Sequence, residues 1–348
     1  MTSPTPTPAP AVRHALSLLA AGRGLEEDEA ARAFEEIMAG EAGPASLGAL
    51  LLALRTRGES PAEIAGAVRA LRSAMRRVEH PAPESLVDTC GTGGGKIGTL
   101  NLSTAAAFVA AGAGALVAKH GNRSFTSRSG SADVLEALGV GIDLSPARAG
   151  EILAETGIVF LYAPSYHPAM RHVAPVRREL GVPTVMNLVG PLANPALAGR
   201  QVVGVADAER APRMAGALAR LGAVHALVVH AEIGMDEIAP VGRTQVWEVR
   251  EGAVTQWSLD PSDYGLATPS LDGLAGGSPE ENADTIRRMF DGAAPAASVE
   301  AAVLLNAAAA IYVSGRVGSM ADAVDAARTA LREGRAAERL AALQAASR

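Results

Sequence analysis

The run from Asp88 to Leu138 restricts the fold more than any other part of the chain, because strand-like segments there alternate with polar glycine loops and an alanine-rich helix. Leu86–Cys90 reads as a strand and leads into Gly91-Thr92-Gly93-Gly94-Gly95-Lys96. Asn101-Leu102-Ser103-Thr104 follows, with a helix predicted over Ser103–Gly112 from a Ser/Thr cap. Ala115–Ala118 reads as a second short strand, which enters Lys119-His120-Gly121-Asn122-Arg123 and the hydroxyl-rich turn Ser127-Arg128-Ser129-Gly130-Ser131. This alternation predicts an α/β domain with a mostly parallel central sheet flanked by helices. Parallel strands place their C-terminal ends along one edge, so both loops come to the same side. Lys96 and Lys119 are the only lysines among 31 basic residues, and both lie in these loops. A compact ammonium does not interchange with a guanidinium in a tight anion site, so the placement is a first clue to a phosphate site.

The chain before this run is helical. Apolar residues recur every three or four positions over Val12–Ala21, Glu26–Met38 and Ala45–Leu54. Ser60, Pro61 and Glu63 spell a capping box with proline in the first turn, starting a helix whose stripe is Ile64, Val68, Leu71 and Met75. Residues 11–83 are therefore expected to form a small all-helical domain, with a possible contribution from about 165–195. The uncharged Thr/Pro-rich residues 1–10 are expected to be a disordered arm, and residues 84–348 the larger α/β domain. Further strands are expected at Ile158–Tyr162, Gln201–Val205 and Ala226–His230, with Thr244–Arg250 and Val254–Ser258 as an antiparallel pair. Helices are expected at Ser131–Leu138, from Ser145-Pro146 to Glu155, over Val173–Leu180 and Arg210–Leu221, and from Pro279 onward. Asn187 through Pro195 is turn-rich and should break any helix.

Composition removes several classes of function. A formal net charge of −6 argues against a general nucleic-acid binder. The single cysteine, Cys90, allows no intramolecular disulfide and suits a reducing, cytoplasmic setting. No apolar run reaches the roughly 18 residues of a membrane span. Zinc-like ligand spacing is absent.

Taken alone, Gly91–Lys96 leaves a structural glycine turn open. It is not a Walker loop, since Ile97 follows Lys96, and it lacks the acidic residue of a dinucleotide fingerprint. The second loop adds weight, because two phosphate-friendly loops on one edge suit a ligand with two separated phosphate groups. A third loop adds Asp236-Glu237 after Gly234. Adjacent carboxylates of this kind hold Mg²⁺ together with waters and substrate phosphates, although such a pair on a loop is also an ordinary solvated one. His120 and His167 invite a general-base reading, and a histidine before Pro168 also suits a purely structural role.

With these motifs in order, the chain resembles the anthranilate phosphoribosyltransferases of the nucleoside phosphorylase/phosphoribosyltransferase superfamily. The resemblance rests on Gly91-Thr92-Gly93-Gly94, Asn101 through Thr104, Lys119 through Arg123 and Gly130-Ser131-Ala132-Asp133. His167-Pro168, Pro175-Val176-Arg177, Asn187 through Pro195 and Gly234 through Glu237 extend it to about residue 330. It implies transfer of the 5-phosphoribosyl group from phosphoribosyl pyrophosphate to the amine of anthranilate, a step of tryptophan biosynthesis. By the same resemblance Gly91, Gly94, Gly95, Lys96, Thr99, Asn101, Ser103, Thr104, Lys119, Ser127 and Ser131 would bind phosphoribosyl pyrophosphate. Gly91, His120, Asn122, His167, Arg177, Gly190 and Pro191 would meet anthranilate, with Lys119, Asn122 and Arg177 positioning the reactants. Ser103, Asp236 and Glu237 would hold two Mg²⁺ ions, and the helical domain would form a homodimer. Two departures stand out: Gly95-Lys96 replaces the family's usual Asp-Gly, and Thr126 replaces a serine while keeping its hydroxyl. The alternatives are a pyrimidine nucleoside phosphorylase-like enzyme, which needs no metal pair, and a non-catalytic relative that binds nucleic acid, which should be basic.

Overall fold

The computed structural model describes residues 9–95, 97–124 and 128–348; Lys96, Thr126 and Ser127 lie outside the described residues, as does the expected arm as far as residue 8. Four helices open the chain: α1 (Pro10–Ala20), α2 (Glu27–Met38), α3 (Pro44–Arg57) and α4 (Pro61–Ser73). The start of α4 follows the sequence signal, since the Ser60 hydroxyl accepts from the Glu63 amide and the Glu63 carboxylate accepts from the Ser60 amide at 2.8 Å. Glu63 also accepts from the Leu25 amide at 2.8 Å and from Arg57, so one buried carboxylate joins α4 to the α1–α2 turn and the end of α3. α1 begins at Pro10, inside the segment expected to be an arm.

The rest alternates: β1 (Leu86–Gly91), α5 (Leu102–Gly112), β2 (Leu116–Gly121), α6 (Ser131–Ala137), α7 (Pro146–Thr156), β3 (Ile158–Tyr162), α8 (Ala163–Tyr166), α9 (Ala174–Leu180), α10 (Val185–Leu192) and β4 (Arg200–Gly204). Then come α11 (Ala211–Arg220), β5 (His225–Ala231), β6 (Thr244–Arg250), β7 (Ala253–Leu259), α12 (Pro279–Phe290), α13 (Ala297–Val313), α14 (Met320–Arg332) and α15 (Arg335–Ala346). Seven strands form one sheet in the order β3-β2-β1-β4-β5-β6-β7, the first five parallel and β6 and β7 antiparallel additions. β6 and β7 turn at Glu251-Gly252, both with positive φ (52° and 78°), the geometry of a two-residue hairpin.

Two apolar cores result. One surrounds α5 and α13, whose alanines let the helices lie close against the sheet. The other joins α1–α4 to α9, α10 and α11, with Val173, Val176, Val185 and Leu188 packed among the N-terminal helices. None of the helices in the described residues is long and apolar enough to cross a membrane.

Two local expectations fail. Residues 185–192 form α10 although Pro191 lies inside it, because Thr184 and Asn187 cap the start and Val185, Met186, Leu188 and Leu192 are buried. Pro191 sits in the last turn, so it removes a single i→i−4 donor next to the point where the helix ends, and side chains take up its own carbonyl: Gln201 Nε2 (3.1 Å) and Cys90 Sγ (3.5 Å) reach Pro191 O. Helix α5 has no hydroxyl cap: it starts at Leu102 behind Asn101, whose side chain is bound elsewhere.

Candidate active site

Strand order reverses between β1 and β4, and at such a switch point the strand ends diverge and leave a crevice. β1 ends at Gly91 and β4 at Gly204, paired in register. The loop after β5 folds over this crevice so tightly that a Cβ on Gly204 would overlap the Asp236 carbonyl; only glycine fits there. The Thr92 amide donates to Gly204 O (2.9 Å), and the Ala206 amide donates to Thr92 Oγ1 (3.3 Å), which ties the glycine loop to β4. Gly93 and Gly94 have φ of 65° and 81°, so this loop needs glycines as a turn whatever else it does.

Asp236 and Glu237 enter from this fold-over. The Asp236 carboxylate lies against Gly91 and Gly95, whose absent side chains leave it room. Glu237 Oε2 accepts from Thr99 Oγ1 (2.8 Å) and Oε1 from the Ser103 amide (3.2 Å) in the first turn of α5. Asn306 of α13 fixes the next residue, accepting from Ile238 N (3.1 Å) and donating to Ile238 O (2.9 Å). Burial, and then the neighbouring Asp236 charge, push the Glu237 carboxyl up to about 8; burial likewise raises Asp236. Two adjacent, partly buried carboxylates with raised proton affinity and a hydroxyl-bearing helix start beside them have the character of an acceptor for a hard cation. Among the described residues no group of three or more His, Cys, Asp and Glu could hold a metal, so any Mg²⁺ here would complete its shell with waters and ligand oxygens.

Lys119 is buried. Its ammonium donates to Thr89 O and to Ser103 Oγ (3.2 Å), and burial lowers its pKa. Thus the cation stands beneath the start of α5. Asp88 faces it from β1, accepting from the His120 amide (3.0 Å) and from Asn194 Nδ2 (2.8 Å). Asn194 Nδ2 also donates to Ala118 O (2.7 Å), so β1, β2 and the turn after α10 share one knot.

Of the other sequence candidates, Asn101 donates to Ser129 O (3.1 Å) and accepts from Asn282 Nδ2 (3.0 Å). Ser131 Oγ donates to Asn122 O (3.2 Å), and Asn122 Oδ1 accepts from the Arg123 amide (2.7 Å). Thr104 is buried, its hydroxyl without a hydrogen-bond partner among the described residues. His120 and His167 meet through their Nε2 atoms at 3.2 Å, one donating and one accepting. Burial drives His120 well below the ordinary imidazole range and His167 to about 4, so both stay neutral near pH 7. Arg177, on α9, is half-buried and forms no ion pair with Glu179 or any other described residue. Gly190 and Pro191 stand at the end of α10.

Known proteins share this architecture. Residues 83–337 match the glycosyl transferase family, a/b domain, and residues 13–75 match the glycosyl transferase family, helical bundle domain. Over 333 residues the chain is 53% identical to the anthranilate phosphoribosyltransferase of Rubrobacter xylanophilus, covering 96% of each. The chain belongs to the anthranilate phosphoribosyltransferase family. A second member, from Thermomicrobium roseum, is 49% identical, with 94% of this chain and 95% of the relative covered. Among solved structures, anthranilate phosphoribosyltransferase from Thermus thermophilus superposes with a TM-score of 0.89 at 46% identity, covering 97% of this chain and 99% of that one. The Saccharomyces cerevisiae enzyme in complex with phosphoribosyl pyrophosphate and Mg gives 0.87 at 27% identity, with 97% of each covered.

Sequence reasoning gave no role of their own to Asp88 and Asn194, although both lie in the motif stretches, and missed Gly204 and Asn282 altogether. Gly204 and Asn282 carry no local signal, since their importance arises from contacts to residues 236 and 101.

Proposed function

We propose that this chain transfers the 5-phosphoribosyl group of phosphoribosyl pyrophosphate to the amine of anthranilate with release of pyrophosphate, as a Mg²⁺-dependent pentosyltransferase of tryptophan biosynthesis. The observation that carries the reading is the Asp236–Glu237 pair laid against the glycine loop and bonded to Thr99 and Ser103, which puts a cation site beside a phosphate cradle.

The amine nitrogen forms a bond to the anomeric carbon while the bond to the pyrophosphate oxygen breaks, and the amine proton leaves to solvent. Positive charge grows on the ribose and negative charge on the departing group. Mg²⁺, two ions in our reading, would neutralise that negative charge. Gly91, Gly94, Gly95, Lys96 and Thr99 cradle the diphosphate; Asn101, Ser103, Thr104, Ser127 and Ser131 complete the phosphoribosyl site. Ser103, Asp236 and Glu237 supply the oxygens for the metal. Lys119 places positive charge under Ser103, where it both orients that hydroxyl and attracts phosphate. Alignment rather than proton abstraction is the main task, because the aromatic amine is already neutral near pH 7. The neutral His120–His167 pair, with Gly190 and Pro191, walls the acceptor's path. The guanidinium of Arg177, in no ion pair with a described residue, offers a two-pronged partner for the anthranilate carboxylate, with Asn122 beside the amine.

We further read the enzyme as a cytoplasmic homodimer joined through its helical domain. The deciding assay combines protein, Mg²⁺, phosphoribosyl pyrophosphate and anthranilate, and follows pyrophosphate release and loss of anthranilate fluorescence together. Turnover that disappears in Glu237→Gln supports the assignment; no turnover in the wild type sinks it.

A further inference from the structure

At the opposite edge of the sheet, where β4 and β5 begin, a surface cavity of about 490 Å³ is lined by Arg200, His225, Arg250, Glu251, Tyr312 and Arg316. Its floor is a cross-strand row. Arg200 of β4 pairs in register with His225 of β5, and His225 with Arg250 of β6. Residues directly opposed in a sheet point to the same face, so two guanidiniums flank one imidazole on one surface. Like charges set along adjacent strands destabilise a sheet unless something answers them.

Nothing among the described residues answers them fully. Arg200 spends its Nε on Glu84 O (3.0 Å) and one terminal nitrogen on Val313 O (2.6 Å), both neutral carbonyls, and keeps its other terminal nitrogen. Among the described residues neither Arg200, Arg250 nor Arg316 makes an ion pair; Arg316, in the loop after α13, lines the cavity, with its guanidinium against Gly114. The interior carboxylate nearest the row, Glu248, is already engaged by three donors: His225 Nε2 (2.8 Å), Tyr312 Oη (2.9 Å) and Trp257 Nε1 (2.8 Å). Glu251 is the single lining carboxylate, exposed on the hairpin turn and in no ion pair with a described residue. Burial, and then the Arg250 charge, lower the pKa of Arg200, with Glu84 opposing them, so the two cations lie within each other's field beside one carboxylate. The lining therefore holds three arginines and one carboxylate, with Glu84 and Glu248 close by outside it, on a chain whose formal charge is −6.

We propose that this cavity is a binding site for a small phosphate-bearing anion, separate from the crevice at the C-terminal edge of the strands. Guanidinium forks match the oxygens of a phosphoryl group, the cavity is wide enough for a pyrophosphate or a sugar phosphate, and the Tyr312 ring, held edge-on to His225 at 4.9 Å, forms an apolar wall beside the charges. The site is independent of the catalytic reading and would stand if that reading failed.

Inorganic pyrophosphate, titrated calorimetrically into the intact metal-free protein at constant ionic strength, tests the proposal. The comparison sets wild type against Arg316→Gln, Arg250→Gln/Arg316→Gln and Arg332→Gln; Arg332 carries the same charge away from the cavity. Arg316 donates no side-chain hydrogen bond among the described residues, so its replacement should leave the fold intact, and unchanged kcat and KM for the catalysed reaction verify this. The expected result is one pyrophosphate fewer per chain in the double variant and an affinity at that site weakened about tenfold or more in Arg316→Gln, with Arg332→Gln like wild type. Equal stoichiometry in all four proteins, or equal weakening in Arg332→Gln, overturns the assignment.

Discussion

Replacing Asp88 by asparagine tests the buried knot under the loops after β1 and β2. Asp88 is fully buried on β1, and its two oxygens accept from the His120 amide and from Asn194 Nδ2. Burial raises its pKa from 3.8 to about 6, with Lys119 the chief opposing influence. An acid whose folded pKa lies above its unfolded one contributes stability that is complete below about pH 4 and lost as pH rises through 6. The rise of about two pKa units corresponds to about 3 kcal/mol. Asparagine cannot ionise, so Asp88→Asn removes this pH-dependent loss. It also surrenders one acceptor, because its amide NH2 replaces an oxygen that received a hydrogen bond, at a cost of about 1–3 kcal/mol. At pH 4 only the cost remains, and the variant is clearly less stable; near pH 7.5 the two effects nearly cancel. Urea unfolding followed by tryptophan fluorescence suits this measurement, since Trp247 and Trp257 lie on β6 and β7 of the same sheet. The difference in unfolding free energy, variant minus wild type, should move by about 3 kcal/mol in the variant's favour between pH 4 and pH 7.5. A flat difference across that range would refute the reasoning. Activity should report on the partner: without Asp88, the buried Lys119 loses its chief counter-charge, and the alkaline limb of the rate profile should move to lower pH.

Two further substitutions probe the walls of the site. A Cβ on Gly95 would stand 2.8 Å from Asp236 Oδ1, so Gly95→Asp adds a third carboxylate against a pair already raised in pKa. The wild type is expected to show little inhibition by free Mg²⁺, and the variant a stronger dependence; superimposable rates across a Mg²⁺ titration would dismiss the idea. Arg72, from α4, donates through Nε (3.1 Å) and one terminal nitrogen (2.7 Å) to Leu192 O, gripping the end of α10 beside Gly190 and Pro191. Its burial lowers its pKa to about 10, so the guanidinium remains charged at neutral pH. Arg72→Met should lose about 1.5–3 kcal/mol from this charge-assisted contact, raising KM for anthranilate while KM for phosphoribosyl pyrophosphate holds, with partial rescue by Arg72→Lys. Equal changes in both constants would make Arg72 structural only.

The contrast between what the sequence disclosed and what it hid has a physical basis. Strands, glycine turns and the Ser60–Glu63 cap were legible because their determinants lie within a few residues of one another. The acidic pair and the glycine loop were legible as a candidate site, and parallel-strand logic placed the loops after β1 and β5 on one edge. What stayed hidden depends on partners far along the chain. Asn101 stands where a cap belongs, yet its side chain is engaged by Ser129 and by Asn282, 181 residues away, so helix α5 begins without one. Lys119 reads as a loop cation, yet it lies within β2, buried, and donates to the Thr89 carbonyl and the Ser103 hydroxyl beside the Asp88 charge. Pro191 reads as a helix breaker, yet Arg72, Cys90 and Gln201 from three other elements donate to the carbonyls at that end. In each case a local preference is overruled by polar groups that burial obliges to find partners. Those same obligations bring Thr99 and Ser103 to Glu237 across more than 130 residues, and so the features least legible in the sequence are the ones that assemble the crevice.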